Sequence, residues 1–263
     1  MAAAAVLARE GRVVAALGRR AFTVQFRRAQ LLMPTFVLPL MLLAVIASGT
    51  SAAQDLPQFP GVNSYLGFVV AGTLIQGALL AGLTSGAAMA GDVEFGFFDR
   101  LLTAPVRRTS LVLGRQAGTL VLSVLQSTFF LTVAFIFGAR YPGGILAVLG
   151  AIGIAAITAV GLGGIAAALA LRTGSLALMQ SVFPFVFVLL FTAPAFFPRE
   201  LLTPTLRDVA EYNPLTYIVE AVRGMLTDTP IGDPLTGLIA AVALAVATTA
   251  LATFALRERL RTL

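Results

Sequence analysis

Cysteine, histidine and lysine are absent from this chain of 263 residues. Without cysteine there is no disulfide framework, no thiolate nucleophile and no Cys-ligated metal. Without histidine, Ser-His-Asp hydrolysis, imidazole metal sites and His-x-x-x-His metalloprotease chemistry fall away. Without lysine no Walker A loop can form, since that phosphate cradle needs Gly-Lys-Ser/Thr. If ATP drives this protein, another polypeptide binds it. Charge of either sign is scarce as well. Only 11% of residues are charged and 58% are hydrophobic, against the roughly 25% charged of a soluble domain. No catalytic residue, resident metal or bound cofactor is expected, and a general base is missing from every long apolar run.

What is present is arginine and long hydrophobic runs. The net charge of +6 rests on arginine alone. In so apolar a chain these arginines read as membrane-surface anchors rather than a nucleic-acid patch. Backbone polar groups in lipid must be satisfied within the chain, which favours helices. The expected fold is an all-α polytopic membrane protein, a single domain over 1–263. An amphipathic interfacial helix fills 1–28, with Val13, Val14, Leu17, Ala21 and Val24 on one face and Arg9, Arg12 and Arg19 opposite; Glu10 and Arg28 are misfits. Six transmembrane helices follow at 29–48, 63–90, 111–138, 144–171, 176–197 and 235–256, near the roughly 20 residues a bilayer needs. Pro34 and Pro39 predict bends in the first. Glycines at 67, 72, 77, 82 and 86 predict close helix approach in the second. Both termini are expected on the cytoplasmic side of a plasma or inner membrane. That orientation puts all but Arg140, Arg199, Arg207 and Arg223 of the 18 arginines inside.

Two interruptions carry most of the information. The first is 91–110, within the run GDVEFGFFDRLLTAPVRRTSLVLGR. Asp92 suits a helix N-cap and Pro105 a stop. Between them Phe95, Phe97, Phe98, Leu101 and Leu102 fall on one face, with Gly96, Asp99, Arg100 and Thr103 opposite and Glu94 in the first turn. A helix this short cannot cross a bilayer, so it lies along the surface or docks into a partner. The second interruption is 198–230, where two short helical patterns meet at Asn213-Pro214. Glu220 and Arg223 are spaced to pair on one face.

The order Asp92, Glu94, Gly96, Arg100, Leu101, then Pro105, Arg107, Arg108, and Leu113-Gly114-Arg115 resembles the first cytoplasmic loop of type-2 ATP-binding-cassette exporter permeases. Asn213-Pro214-Leu215-Thr216-Tyr217 followed by Glu220, Arg223 and Gly224 is similar to the external segment of the same family. The resemblance covers nearly the whole chain in layout. It implies that residues 91–110 form a cytoplasmic coupling helix seated in an ATPase subunit. In that reading the apolar residues with Pro105 and Arg107 form the docking element, and Asp92, Glu94, Asp99 and Arg100 orient it. It also implies an external re-entrant helical hairpin at 198–230. The partners implied are a cytoplasmic ABC ATPase holding ATP and magnesium, and a second permease copy or sister permease, in contact with membrane lipids.

The middles of the six spans carry no ionisable side chain, whereas ion-coupled transporters need one. Energy is therefore expected to enter through the loop. Gln76 is the one strongly polar mid-span residue of the second span and reads first as interhelical glue. Phe183, Phe187 and Phe191 in the fifth span, with Gln76, are candidate substrate-path residues. Small members resembling daunorubicin-type resistance permeases imply an amphipathic drug or lipid-like cargo. Export of a lipid-linked polysaccharide, or a non-transporting scaffold or channel, is the alternative.

Overall fold

A computed structural model describes residues 2–27, 29–49, 59, 61–62, 64–103, 106–229 and 231–261. In chain order the helices are α1 (Ala2–Arg27), α2 (Ala29–Gly49), α3 (Tyr65–Glu94), α4 (Phe97–Leu102), α5 (Arg108–Ile136) and α6 (Gly144–Thr173). They continue as α7 (Leu176–Ser181), α8 (Phe183–Phe191), α9 (Pro204–Tyr212), α10 (Pro214–Thr227) and α11 (Pro234–Arg259). No strand occurs among the described residues.

The core is α3, whose sequence alternates glycine and alanine with large aliphatics, so that neighbours can approach it from every side. Ser64 starts it, accepting from the Gly67 amide at 3.2 Å. Side chains from Phe68 to Leu80 are buried on all faces, including Phe68, Leu74 and Leu80 at no exposure. Each glycine marks a crossing. A Cβ on Gly82 would lie 2.6 Å from the Gly163 amide, and one on Gly86 would lie 2.4 Å from the Ala166 Cβ. These pairs show α3 and α6 running parallel. Gly161 against Leu244, with Gly164 against Thr248, sets α11 parallel to α6 in turn. Against α5 the order reverses. Gly77 meets Phe130, and Thr119 donates to Ser85 at 2.7 Å.

Helices α2, α3, α5, α6 and α11 are each long and apolar enough to cross a membrane. The expected fifth span, 176–197, is not one helix. It breaks at Val182 into α7 and α8 and leaves helical geometry after Phe191. Pro184 explains the first break, since it has no amide to bond the preceding turn and its ring crowds that turn's carbonyl. After Thr192 the chain crosses α3 at Gly72, where a Cβ would sit 2.1 Å from the Ala195 carbonyl oxygen. The prolines in the first span act differently. Pro34 and Pro39 both lie inside the continuous helix α2.

The apolar face of α1, expected to rest on the membrane surface, is covered by α5. Gly18 and Ala21 oppose Gly114, Ala117 and Gly118, the Cβ of Gly114 being excluded by Leu17 at 2.4 Å. Arg12 and Arg19 stay exposed, as the helical pattern predicts.

The crossings are directly testable. We expect Gly86→Ala to cost about 1–3 kcal/mol through overpacking and to lower the unfolding midpoint in detergent. Gly153→Ala, with nothing within 4 Å of its new methyl, should leave the midpoint unchanged or raise it through helix propensity.

Candidate functional site

Asp92 and Glu94 do not open the short helix. Nothing at Gly91 stops α3, which runs on to Glu94, and α4 begins only after Gly96 turns the chain at φ 70°. Both carboxylates therefore sit in the last turn of a helix, where the macrodipole opposes negative charge. The structure offsets this with donors from elsewhere. Asp92 is held by the Arg115 guanidinium of α5, and Arg20 of α1 donates to both of its oxygens, at 3.3 Å and 3.4 Å. Glu94 accepts from the Leu176 amide at 2.7 Å, capping the start of α7. One short arm is thus tied at its base to α1, α5 and α7.

The apolar face of α4 is divided. Phe98 is 3% exposed and packs with Met89, Val93, Leu111, Leu171 and Leu256, with Leu101 and Leu102 half-buried beside it. Phe97 lies under Arg20, the guanidinium carbon 3.7 Å from the ring centroid. Phe95 is 74% exposed. With Asp99, Arg100 and Thr103 it forms the free surface of the arm. Of the five apolar residues on the expected docking face, Phe98 is buried, Phe97, Leu101 and Leu102 are half-buried and Phe95 is exposed. Arg107 precedes α5 and pairs with Glu10 at 3.5 Å, while the Ser110 hydroxyl donates to the same carboxylate. Glu10, a misfit on the α1 wheel, fastens α1 to α5. Pro105 and Arg28 lie outside the described residues.

At the opposite end, Asn213 works on both sides. Its Oδ1 accepts from the Leu215 amide at 2.9 Å, capping α10. Its Nδ2 donates to the Leu189 carbonyl at 2.8 Å and to Thr192 at 3.0 Å, fixing the end of α8. Pro214 is the first residue of α10, where its missing amide costs nothing. Glu220 and Arg223 do not pair as their spacing suggests. Glu220 is taken by Arg199 in a two-pronged contact at 3.0 Å for each oxygen. Arg223 is fully buried. It donates to the carbonyls of Pro194 and Ala195 at 2.9 and 2.7 Å and lies 3.8 Å over the Phe68 ring. These contacts satisfy carbonyls that the broken helix leaves open. Tyr217 donates to the Glu211 carbonyl. Gly224 lets the Gly232 carbonyl within 2.9 Å of its Cβ position.

Phe183, Phe187 and Phe191 do form a stripe, with centroids 5.4 and 6.3 Å apart, continued by Phe196 at 6.0 Å. None of these four rings borders the apolar cleft beside α8. That cleft, of about 160 Å³ between α3, α6 and α7–α8, is bordered instead by Phe185 from the other face. Gln76 is fully buried, and among the described residues neither polar atom of its amide has a hydrogen-bond partner. It makes no interhelical bond.

Four long apolar helices around a fifth that is buried, a short ion-paired arm at one end and a broken helix packed on α10 at the other define a multi-pass helical membrane protein. Among the described residues no three acidic side chains gather into a group that could hold a metal ion. The chain belongs to the ABC-2 type transporter family, whose model matches residues 12–227. It is therefore a permease subunit of an ABC transporter, a family that works with an ABC ATPase subunit. It is similar to the ycf38 transport permease of Porphyra purpurea, at 29% identity over 82% of this chain and 74% of that one. It is also similar to the daunorubicin resistance ABC transporter permease protein DrrB1 of Streptomyces coeruleorubidus, at 24% identity over 64% and 59%. DrrC of Mycobacterium tuberculosis, named for doxorubicin resistance, matches at 21% over 77% and 72%.

Arginines 20 and 199 and the role of Arg115 were not assigned from sequence. The signal lay in charge scarcity, because an acid in so apolar a chain needs a cation nearby. The split face of α4 predicts a split in stability. Phe98→Asp should cost about 3–5 kcal/mol, whereas Phe95→Asp should stay within about 0.5 kcal/mol of wild type, read as unfolding midpoints of purified protein.

Proposed function

We propose that this chain is the permease half of an exporter that moves an amphipathic drug- or lipid-like molecule out of the cytoplasm. Both termini and the arm face the cytoplasm, and two permeases operate with two ATPase subunits. The positive-inside distribution of arginine supports that orientation. The names of the daunorubicin- and doxorubicin-resistance relatives support the cargo class.

The observation that carries the reading is the construction of the arm. Its free tip of Phe95, Asp99 and Arg100 is exposed, while its base is bonded to helices that reach across the bundle. An ATPase gripping the tip pulls on α3 directly. It also pulls on α1 and α5 through Asp92, and on α7 and α8 through Glu94. The bundle's centre follows because α3 is buried on all sides. Residues with those bonds do not orient the ATPase; they transmit its movement inward. Recognition falls to Phe95, Asp99 and Arg100.

Phe95→Asp with Arg100→Glu should abolish co-purification of vanadate-sensitive ATPase from native membranes. The amount of permease in the membrane should stay unchanged. An ATPase still bound to that variant at the wild-type level would contradict the docking role of the tip.

A further inference from the structure

The start of α5 and the end of α11 enclose a cleft of about 500 Å³ that the coupling arm does not use. Its walls carry Arg107, Arg108, Arg257 and Arg261, and among the described residues no acidic side chain lines it. Arg107 is paired at 3.5 Å with Glu10 on the rim. The side chains of Arg108, Arg257 and Arg261 bond to no group of the chain among the described residues, and all three are exposed. The nearby acid on α11, Glu258, is turned away and bound by Arg172 at 2.8 Å. Three unbalanced guanidinium groups converging on one cleft repel each other, and that repulsion falls when an anion with several acceptor oxygens sits between them.

The cleft opens along the helices into an apolar groove of about 640 Å³ that shares Thr253 and Arg257 with it. Leu113, Val246, Ala250 and Phe254 form the walls of that groove. Leu113, Val246 and Phe254 are 45%, 65% and 58% exposed, and they lie on membrane-crossing helices. Arginine at a helix end beside an apolar trough running along the bundle is the chemistry of a phosphate group carrying acyl chains. A free phosphate has no use for the trough, and a neutral lipid has none for the arginines.

We propose that this paired cleft and groove is a binding site for an anionic phospholipid. The headgroup phosphate is held by Arg108, Arg257 and Arg261, and one acyl chain lies between α5 and α11 against Ala250. The bound lipid bridges the first turn of α5 to the last turn of α11, two helices that otherwise end in mutual repulsion. The site is separate from the arm's tip and does not depend on the identity of the transported molecule.

The test uses the purified full chain in mild detergent and native mass spectrometry, with phosphatidylglycerol and phosphatidylcholine of identical chains as probes. Wild type should retain phosphatidylglycerol at least about tenfold more tightly than phosphatidylcholine. The variant Arg108→Gln/Arg257→Gln/Arg261→Gln should lose that preference while keeping its unfolding midpoint in lipid-free detergent. Ala250→Trp, which fills the groove and leaves every arginine in place, should weaken phosphatidylglycerol several-fold. Equal binding of the two lipids by wild type overturns the proposal, as does a preference that survives the triple substitution. Displacement of the lipid by inorganic phosphate at equal concentration, with Ala250→Trp binding like wild type, overturns the acyl-chain half.

Discussion

A carboxylate in the last turn of an α-helix faces the negative end of the helix dipole, and Asp92 holds that position next to lipid-facing chain. It persists because Arg115 and Arg20 reach it from two other helices. Breaking a buried pair of this kind costs about 3–5 kcal/mol, because each partner has left water for the other. The path of the chain around it follows from that constraint. Helix α1 must lie along α5 for Arg20 to arrive, and the glycines at 18, 114 and 118 permit that approach. Phe97 then finds the same guanidinium above its ring, so the arm is held by one cation on two sides.

The other end solves a backbone problem with the same means. A helix broken by Pro184 and abandoned after Phe191 leaves carbonyls without partners, and in lipid each unsatisfied group costs several kcal/mol. Arg223 and Asn213 supply the donors, from α10 and its N-cap. The buried arginine is therefore part of what lets a non-helical segment lie against α3 at Gly72. Between the two ends, large apolar side chains fill the core and glycine and alanine mark the close crossings, with a few polar links such as Thr119 to Ser85 and Gln126 to the Thr35 carbonyl. A displacement at the arm has little beyond packing to resist it along α3.

The layout of the fold was legible because helix length, glycine spacing and proline position are local properties. The long apolar helices fall within a few residues of the runs that announce them, and Asn213-Pro214 marks the junction of α9 and α10. Partnerships across the chain were not legible. Asp92 looked like an N-cap because Gly-Asp before an amphipathic run has that pattern, yet a glycine flanked by good helix formers does not end a helix packed on all sides. Glu220 and Arg223 have ideal spacing for a pair, and the competing donor, Arg199, opens a single 3-10 turn far from them in sequence, which no α-helical wheel includes. The aromatic face of α4 was visible; that Phe98 turns inward depends on Met89, Leu171 and Leu256, which come together only in the fold. Glu10 was noticed as a misfit on the α1 wheel, and it proved to mark a tertiary contact, with Arg107 and Ser110.

The central claim is that the arm and the helices it is paired with move as one body. The chain has no cysteine, so spin labels can be placed at will on Thr103→Cys at the end of α4 and Arg12→Cys in α1, both exposed positions outside the recognition tip. Pulsed electron spin resonance on the ATPase-bound permease then reads the distance between them with and without ATP and vanadate. The account predicts one narrow distance, identical in both states, that broadens when Asp92→Asn is added. A wild-type distance that shifts on nucleotide binding, or a distribution unchanged by Asp92→Asn, would contradict it.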